Sequence, residues 1–241
     1  MDHGLFYRGA LDKERLLSAP EAVAAEVRAL GLPTPSYFHM FGPDLTLRNC
    51  ADPDALDANL RDFERVLAFC EAAAIRTIFV SPGRINPGQS PERSLSASAR
   101  ALGKMAVTAH TRGIALTIEP HVTSNAETPA SVLRLLSMAD GLGLTLDPSH
   151  LIFLGHTQAE IEALIPWARH VHLRQARPGR LQERLELGTL NFPALVSALR
   201  AGGYDGWLTL EYCHQQFMDM TNVDVLSETV KLRDLVAAEL A

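Results

Sequence analysis

Three copies of a short pattern constrain this chain more than any other feature. Each copy is a leucine, a threonine, a second aliphatic residue and an acid, at residues 116–119, 144–147 and 208–211. Because side chains on a β-strand alternate between two faces, the threonine and the acid share one face and the two aliphatic residues share the other. The pattern therefore predicts three strands. Each ends in a carboxylate on its inward face, and its aliphatic residues form the opposite face, which helices can cover.

Apolar or β-branched runs alternate with helical stretches along the rest of the chain. The runs predict six strands, at residues 36–40, 76–80, 114–119, 143–147, 170–174 and 207–212. Helices are predicted to begin at Ser18, as an N-cap, and to cover residues 54–74, 91–112, 129–139, 158–168, 193–201 and 223–240. This alternation predicts parallel strands joined by right-handed crossovers. Since no linker or low-complexity segment interrupts it, residues 1–241 are expected to form one domain.

The polar face of these strands favours a closed barrel over an open sheet. In the fifth predicted strand His170, His172 and Arg174 share one face, as the acids do in the repeated pattern. A β/α barrel directs such a face towards an active-site mouth, so the predicted fold class is an α/β protein of the (β/α)8 TIM-barrel type. Eight strands are expected and six are counted, with at most a strand fragment at residues 4–8. The barrel is therefore expected to lack one or two N-terminal strands, to start further upstream in the gene product, or to be covered by a neighbouring subunit.

Composition excludes several classes of function. The formal net charge is −6, and no lysine or arginine cluster suggests nucleic-acid binding. No apolar run approaches the roughly 18 residues of a membrane span, and no signal-peptide pattern opens the chain. The three cysteines are too far apart for a metal knuckle. We expect a cytoplasmic enzyme that acts on a small molecule and binds neither nucleic acid nor membrane.

Four polar residues on consecutive predicted strands form a candidate metal site. They are Glu119, Asp147, His172 and Glu211. Three carboxylates and an imidazole that meet at one mouth repel one another, and a divalent cation removes the conflict. Oxygen ligands with one imidazole suit Mn²⁺, Mg²⁺, Co²⁺ or Zn²⁺, so one divalent metal of this group is the predicted cofactor.

Histidines crowd the same predicted mouth. Those at or just beyond strand ends are His39, His121, His150, His172 and His214. Several imidazoles around one mouth favour a polar pocket that handles hydroxyl groups and protons. His39 and His121 are accordingly predicted to contact substrate.

The motifs taken together resemble the xylose isomerase-like TIM-barrel superfamily of sugar isomerases and epimerases. They are Glu119-Pro-His121, Asp147-Pro-Ser-His150, His170-Val-His172 and Glu211, with a similar last helix and strand over residues 187–211. The resemblance implies a TIM barrel with two strands before residue 36, and substrate contact by His150. It also implies that one divalent metal is bound by Glu119, Asp147, His172 and Glu211.

One segment departs from the pattern of the ketose 3-epimerases, in which a glutamate and an arginine follow the H-x-H strand. Here Gln175 stands in that segment; it can contact a sugar hydroxyl but cannot act as a base. Arg174, Arg177 and Arg180 could bind a substrate carboxylate or phosphate, and Arg177 is predicted to contact substrate.

The leading hypothesis is a metal-dependent isomerase or epimerase of a small keto sugar or polyol derivative. Glu119 and Glu211 would transfer protons through a metal-stabilised enediolate. The alternative on the same fold is a dehydratase of the 3-dehydroshikimate or inosose type. DNA repair of the endonuclease IV type would need more ligands and conflicts with the charge of −6. A non-catalytic binding subunit is a lower alternative, and association into a homo-oligomer is compatible with each.

Overall fold

We analysed a computed structural model, and the structure describes residues 11–240. The expected strand fragment at residues 4–8 lies outside the described residues. The chain divides into two compact units. The first contains the described residues up to Glu119 with residues 123–126 and 133–143, and the second contains residues 120–122, 127–132 and the chain from Leu144 onwards. That the whole chain is one domain stays a prediction.

All six predicted strands are present. They are β1 (Ser36–Phe38), β2 (Thr77–Val80), β3 (Ala115–Ile118), β4 (Gly143–Leu146), β5 (Ala168–Leu173) and β6 (Leu208–Leu210). Within each unit the strands neighbour one another in chain order, β1, β2 and β3 in the first and β4, β5 and β6 in the second. The pairs β1–β2 and β2–β3 are parallel, as are β4–β5 and β5–β6. Parallel strands in chain order with helices between them are the arrangement of a β/α barrel, as predicted.

Within residues 11–240 there are nine α-helices, of which two precede β1 and the others connect or follow the strands. They are α1 (Lys13–Ser18), α2 (Pro20–Ala29), α3 (Leu56–Ala73), α4 (Pro91–Thr111), α5 (Pro129–Met138), α6 (Pro148–Phe153), α7 (Gln158–Glu162), α8 (Phe192–Ala201) and α9 (Val225–Leu240). In this part of the chain, no helix has both the length and the apolar character that a membrane crossing requires.

The core of the first unit follows the apolar periodicity of its elements. All four residues of β2 are buried, and α3 buries Phe63, Leu67 and Cys70 on the predicted stripe. The ring of Tyr37 on β1 packs edge-on against Phe69 of α3, with ring centroids 5.2 Å apart. Each large apolar side chain buried in this way contributes about 1.5–3 kcal/mol to folding.

Two helix predictions were wrong, and proline explains both. Ser18 is the last residue of α1 and donates from Oγ to the carbonyl of Arg15, so it is not the N-cap of α2; that position belongs to Ala19, and α2 begins at Pro20. Proline lacks the backbone N–H that a continuous helix needs. The helix predicted over residues 158–168 ends with α7 at Glu162, a 3₁₀ turn spans Ile165–Trp167, and β5 already begins at Ala168. Pro166 within that turn removes the donor that would have extended α7.

The helix α6 was not predicted, although its start follows ordinary capping rules. Asp147 is the N-cap residue, and its Oδ1 accepts a hydrogen bond from the backbone N–H of Ser149 at 2.9 Å. Pro148 occupies the first helical position, where its fixed φ is favourable. The segment Asp-Pro-Ser-His therefore combines a helix start with a candidate ligand.

Candidate metal centre

Local structure fixes the backbone of each candidate ligand in the second unit. Asp147 directly follows β4 and caps α6. His172 lies near the carboxyl end of β5. Glu211 directly follows β6, and its backbone N–H donates to the carbonyl of Leu173 at 2.9 Å. Because the three strands are parallel neighbours, their ends present these side chains at one edge of the sheet.

The structure brings together the three predicted ligands of the second unit. Asp147, His172 and Glu211 each offer one ligand atom, and these atoms all lie within 4.8 Å of one another. Glu119 ends the first stretch of the first unit, and its place as the fourth ligand stays a prediction. Glu119, Asp147 and His172 are buried, and the Glu211 side chain is 30% exposed. His172 Nδ1 lies 3.4 Å from Glu211 Oε2. This is the proximity that a cation site needs, and that the four residues bind a metal stays a prediction.

One atom of this group shows that its chemistry suits a cation. Glu211 Oε2 is buried and has no hydrogen-bond partner among the described residues. Burial by itself would raise the pKa of Glu211, but the neighbouring His172 and Arg174 outweigh it and hold the pKa below its usual range. An ionised oxygen that is buried without a hydrogen bond is unfavourable, and a divalent cation would compensate it. Carboxylates with one imidazole are a suitable donor set for such a cation.

Arg174 reaches the candidate ligands from the end of β5. Its Nη2 donates to Asp147 Oδ2 at 2.8 Å, and its Nε donates to Ser149 Oγ at 2.7 Å. Nη2 also lies 3.7 Å from Glu211 Oε2. From the sequence, Arg174 was grouped with Arg177 and Arg180, and only Arg177 was predicted to contact substrate. The better signal was the alternation of Arg174 with His170 and His172, which places it on the same face of β5.

His150 and His121 lie together beside this group. Their ring centroids are 4.1 Å apart. Burial, together with the nearby His121, Arg174 and His172, lowers the pKa of His150 well below its usual value, so the ring is neutral at physiological pH. The neutral ring accepts a hydrogen bond at Nε2 from Arg174 Nη2, at 2.9 Å. The substrate contacts predicted for both histidines stay predictions.

The other two predicted substrate residues have protein partners of their own. His39 is buried after β1; its Nδ1 lies 3.3 Å from the Tyr37 hydroxyl, and its ring packs edge-on against Phe41. Arg177 is exposed and donates from Nε to Glu183 Oε2 at 2.9 Å. Substrate contact by either residue stays a prediction.

Gln175 is a structural residue and does not have the role suggested for it by the sequence. Its Nε2 donates to the carbonyls of Leu185 and Leu190, and its Oε1 accepts from the backbone N–H groups of Ala176 and Leu190. These four bonds use both donors and both lone pairs of the amide. Gln175 is buried and has no capacity left for a sugar hydroxyl, so its amide serves to hold the following loop.

We expect the Gly188→Ala variant to be less stable than the wild type by about 1–3 kcal/mol, because overpacking strains a well-packed contact. A Cβ at Gly188 would overlap the Cγ, Cδ and Oε1 atoms of Gln175. Gln175 cannot yield without losing some of its four hydrogen bonds. Urea unfolding measures the effect.

Gly103→Ala is the matched control for this variant. Gly103 lies in α4, and a Cβ there would meet Ala139 at ordinary contact distances of 3.6 and 3.8 Å. We expect it to be neutral or stabilising by up to about 1 kcal/mol, since alanine favours helix. Equal stability of the Gly188→Ala variant and the wild type would show that the Gln175 contact is not rigid.

Comparison with known proteins identifies the family. The family model for the xylose isomerase-like TIM barrel matches residues 2–234. The chain belongs to this family. The fold-class prediction is thereby confirmed. No curated protein matches the sequence.

Solved structures with a similar fold have low sequence identity to this member of the xylose isomerase-like family. AP endonuclease, family 2, from Brucella melitensis has a TM-score of 0.74 at 16% identity, over 97% of this chain and 96% of that chain. The IOLI protein with a bound zinc atom has a TM-score of 0.72 at 14% identity, over 96% and 86% of the two chains. L-ribulose 3-epimerase has a TM-score of 0.71 at 20% identity, over 97% and 81%. At these identities the likeness shows the fold alone.

Proposed function

We propose that this protein is a divalent-metal-dependent isomerase or epimerase of a small keto sugar or polyol derivative. The observation that carries the proposal is the group of three ligand atoms within 4.8 Å of one another, contributed by Asp147, His172 and Glu211. Glu119 is proposed as the fourth ligand. The buried Oε2 of Glu211, which lacks a hydrogen bond, supports it independently. The fold shared with L-ribulose 3-epimerase is compatible with this chemistry.

The residues divide into holding and proton-transfer roles. When bound, the cation supplies Lewis-acid stabilisation of the negative charge that develops on the substrate oxygens. Glu119, Asp147, His172 and Glu211 would hold the cation, and His150 is expected to contact substrate. Glu119 and Glu211 exchange protons with the substrate carbons. Two bases on opposite sides of the substrate give epimerisation, and one base that carries a proton between adjacent carbons gives aldose–ketose exchange.

The first test is metal content followed by chelation. We expect the purified protein to contain about one divalent ion per chain and to catalyse exchange of substrate protons with deuterated water for at least one member of a ketose panel. Chelation should lower that rate at least about 100-fold, because several kcal/mol of charge stabilisation are lost, and Mn²⁺, Mg²⁺, Co²⁺ or Zn²⁺ should restore it. A fully chelated protein that keeps its rate would contradict the proposal. A metal-free protein without turnover would favour a binding subunit.

Arg174 favours a second candidate, a dehydratase of a carboxylated cyclic ketone. The positive charge of its buried guanidinium beside the candidate ligands would attract a substrate carboxylate. Deprotonation beside the carbonyl would be shared with the isomerase, and the enolate would then expel a β-hydroxyl. Appearance of an unsaturated product by ultraviolet absorbance, without epimer formation, distinguishes the two reactions.

A further inference from the structure

Arg174 places a fixed positive charge among the candidate metal ligands. Its guanidinium lies 2.8 Å from Asp147 Oδ2 and 3.7 Å from Glu211 Oε2. The side chain is 3% exposed, and the bond from Nε to Ser149 Oγ holds it in this position. Charges buried in this way are screened little by water or salt, so the guanidinium acts strongly on both carboxylates.

The guanidinium and a divalent cation would draw on the same two carboxylates. Asp147 Oδ1 accepts the N–H of Ser149 and Asp147 Oδ2 accepts from Arg174 Nη2, so a cation bound by this carboxylate would lie beside the guanidinium. Two cations that share one carboxylate repel each other. Metal binding therefore weakens the interaction of the guanidinium with the carboxylates, and the guanidinium weakens metal binding by the same free energy.

We propose that Arg174 is a built-in counter-cation of the metal centre, which stabilises the clustered carboxylates in the metal-free protein and lowers the affinity of the site for its divalent metal. This inference rests on the proposed metal site. Arg174 is thus a positioning residue that acts through Asp147 and Glu211. The protein folds without its metal, and the metal exchanges with solution.

The experiment compares the metal affinity and the metal-free stability of Arg174 variants. Mn²⁺ is titrated by calorimetry into chelator-treated wild type, Arg174→Gln and Arg174→Lys, and the Tm of each metal-free protein is measured. We expect Arg174→Gln to bind Mn²⁺ at least about tenfold more tightly than the wild type, because one buried positive charge is removed. Its metal-free Tm should be lower. Arg174→Lys keeps the charge and should bind Mn²⁺ with nearly wild-type affinity.

Arg200→Gln is the matched control. Arg200 is exposed on α8 and donates to the carbonyl of Glu239. Its removal changes the net charge by the same amount as the removal of Arg174, but solvent screens its charge from the candidate metal site. Its Mn²⁺ affinity should equal that of the wild type.

The remaining outcomes separate this inference from the proposed function. Weaker Mn²⁺ binding by Arg174→Gln would overturn the inference, since Arg174 would then only orient Asp147; equal affinity in all variants would overturn it as well. If Arg174→Gln folds only with Mn²⁺ present, the metal replaces the guanidinium charge and the inference is supported. Failure to fold even with saturating Mn²⁺ would contradict it. A folded wild type that binds no Mn²⁺, Mg²⁺, Co²⁺ or Zn²⁺ would reject the metal site itself.

Discussion

Replacing Glu211 or Glu119 by glutamine is expected to lower turnover by about 10²–10⁴-fold, the usual contribution of a positioned general base. Glutamine keeps the size of the side chain but can neither accept a proton nor supply a charged ligand atom. The Glu211→Gln variant should also bind Mn²⁺ more weakly than the wild type, because its carboxylate oxygen lies within the ligand group. Solvent-deuterium exchange with the ketose substrate and calorimetric titration with Mn²⁺ measure the two effects.

Glu186→Gln is the control for these variants. Glu186 is exposed, and its Oε2 lies 3.5 Å from Lys231 Nζ in an exposed ion pair. Such pairs contribute about 0–1 kcal/mol, so its turnover and metal affinity should match those of the wild type. Full activity in either Glu119→Gln or Glu211→Gln would remove that residue from the proton-transfer role.

The Asp147→Ala variant is expected to lose about 3 kcal/mol of stability in the metal-free protein. The substitution removes the carboxylate that compensates the buried Arg174 at 2.8 Å, and loss of one partner of a buried ion pair is strongly destabilising. It also removes the N-cap of α6, which is worth about 1 kcal/mol. The free energy of unfolding from urea titration measures the loss.

Two further variants test the physical reason. Asp234→Ala removes an exposed aspartate that pairs with Arg233, and should change stability by less than about 0.5 kcal/mol. The double variant Asp147→Ala, Arg174→Met should recover part of the stability, because no buried charge is then left uncompensated. A single Asp147→Ala variant as stable as the wild type would mean that Arg174 finds equal compensation elsewhere.

Much of the fold was accessible from short-range patterns. The three repeated Leu-Thr-aliphatic-acid units became the ends of β3, β4 and β6, since the period of two that defines a strand also separates its two faces. The errors occurred where a local exception overrides periodicity. Pro166 ended a helix that apolar spacing favoured, and the cap at Asp147 began one that went unpredicted.

The sequence by itself determined the parallel α/β architecture and the convergence of Asp147, His172 and Glu211. Both follow from alternation along strands whose carboxyl ends meet at one edge. Only the tertiary structure decided which polar side chains of the following segment belong to the site. Arg174 contacts Asp147, whereas Arg177 pairs with Glu183. The amide of Gln175 makes its hydrogen bonds to backbone groups of its own loop. Alternation along β5 indicated the face of Arg174. The partners of Arg177 and Gln175 depend on the path of the loop through space and lie up to 15 residues away in sequence, which no local pattern encodes.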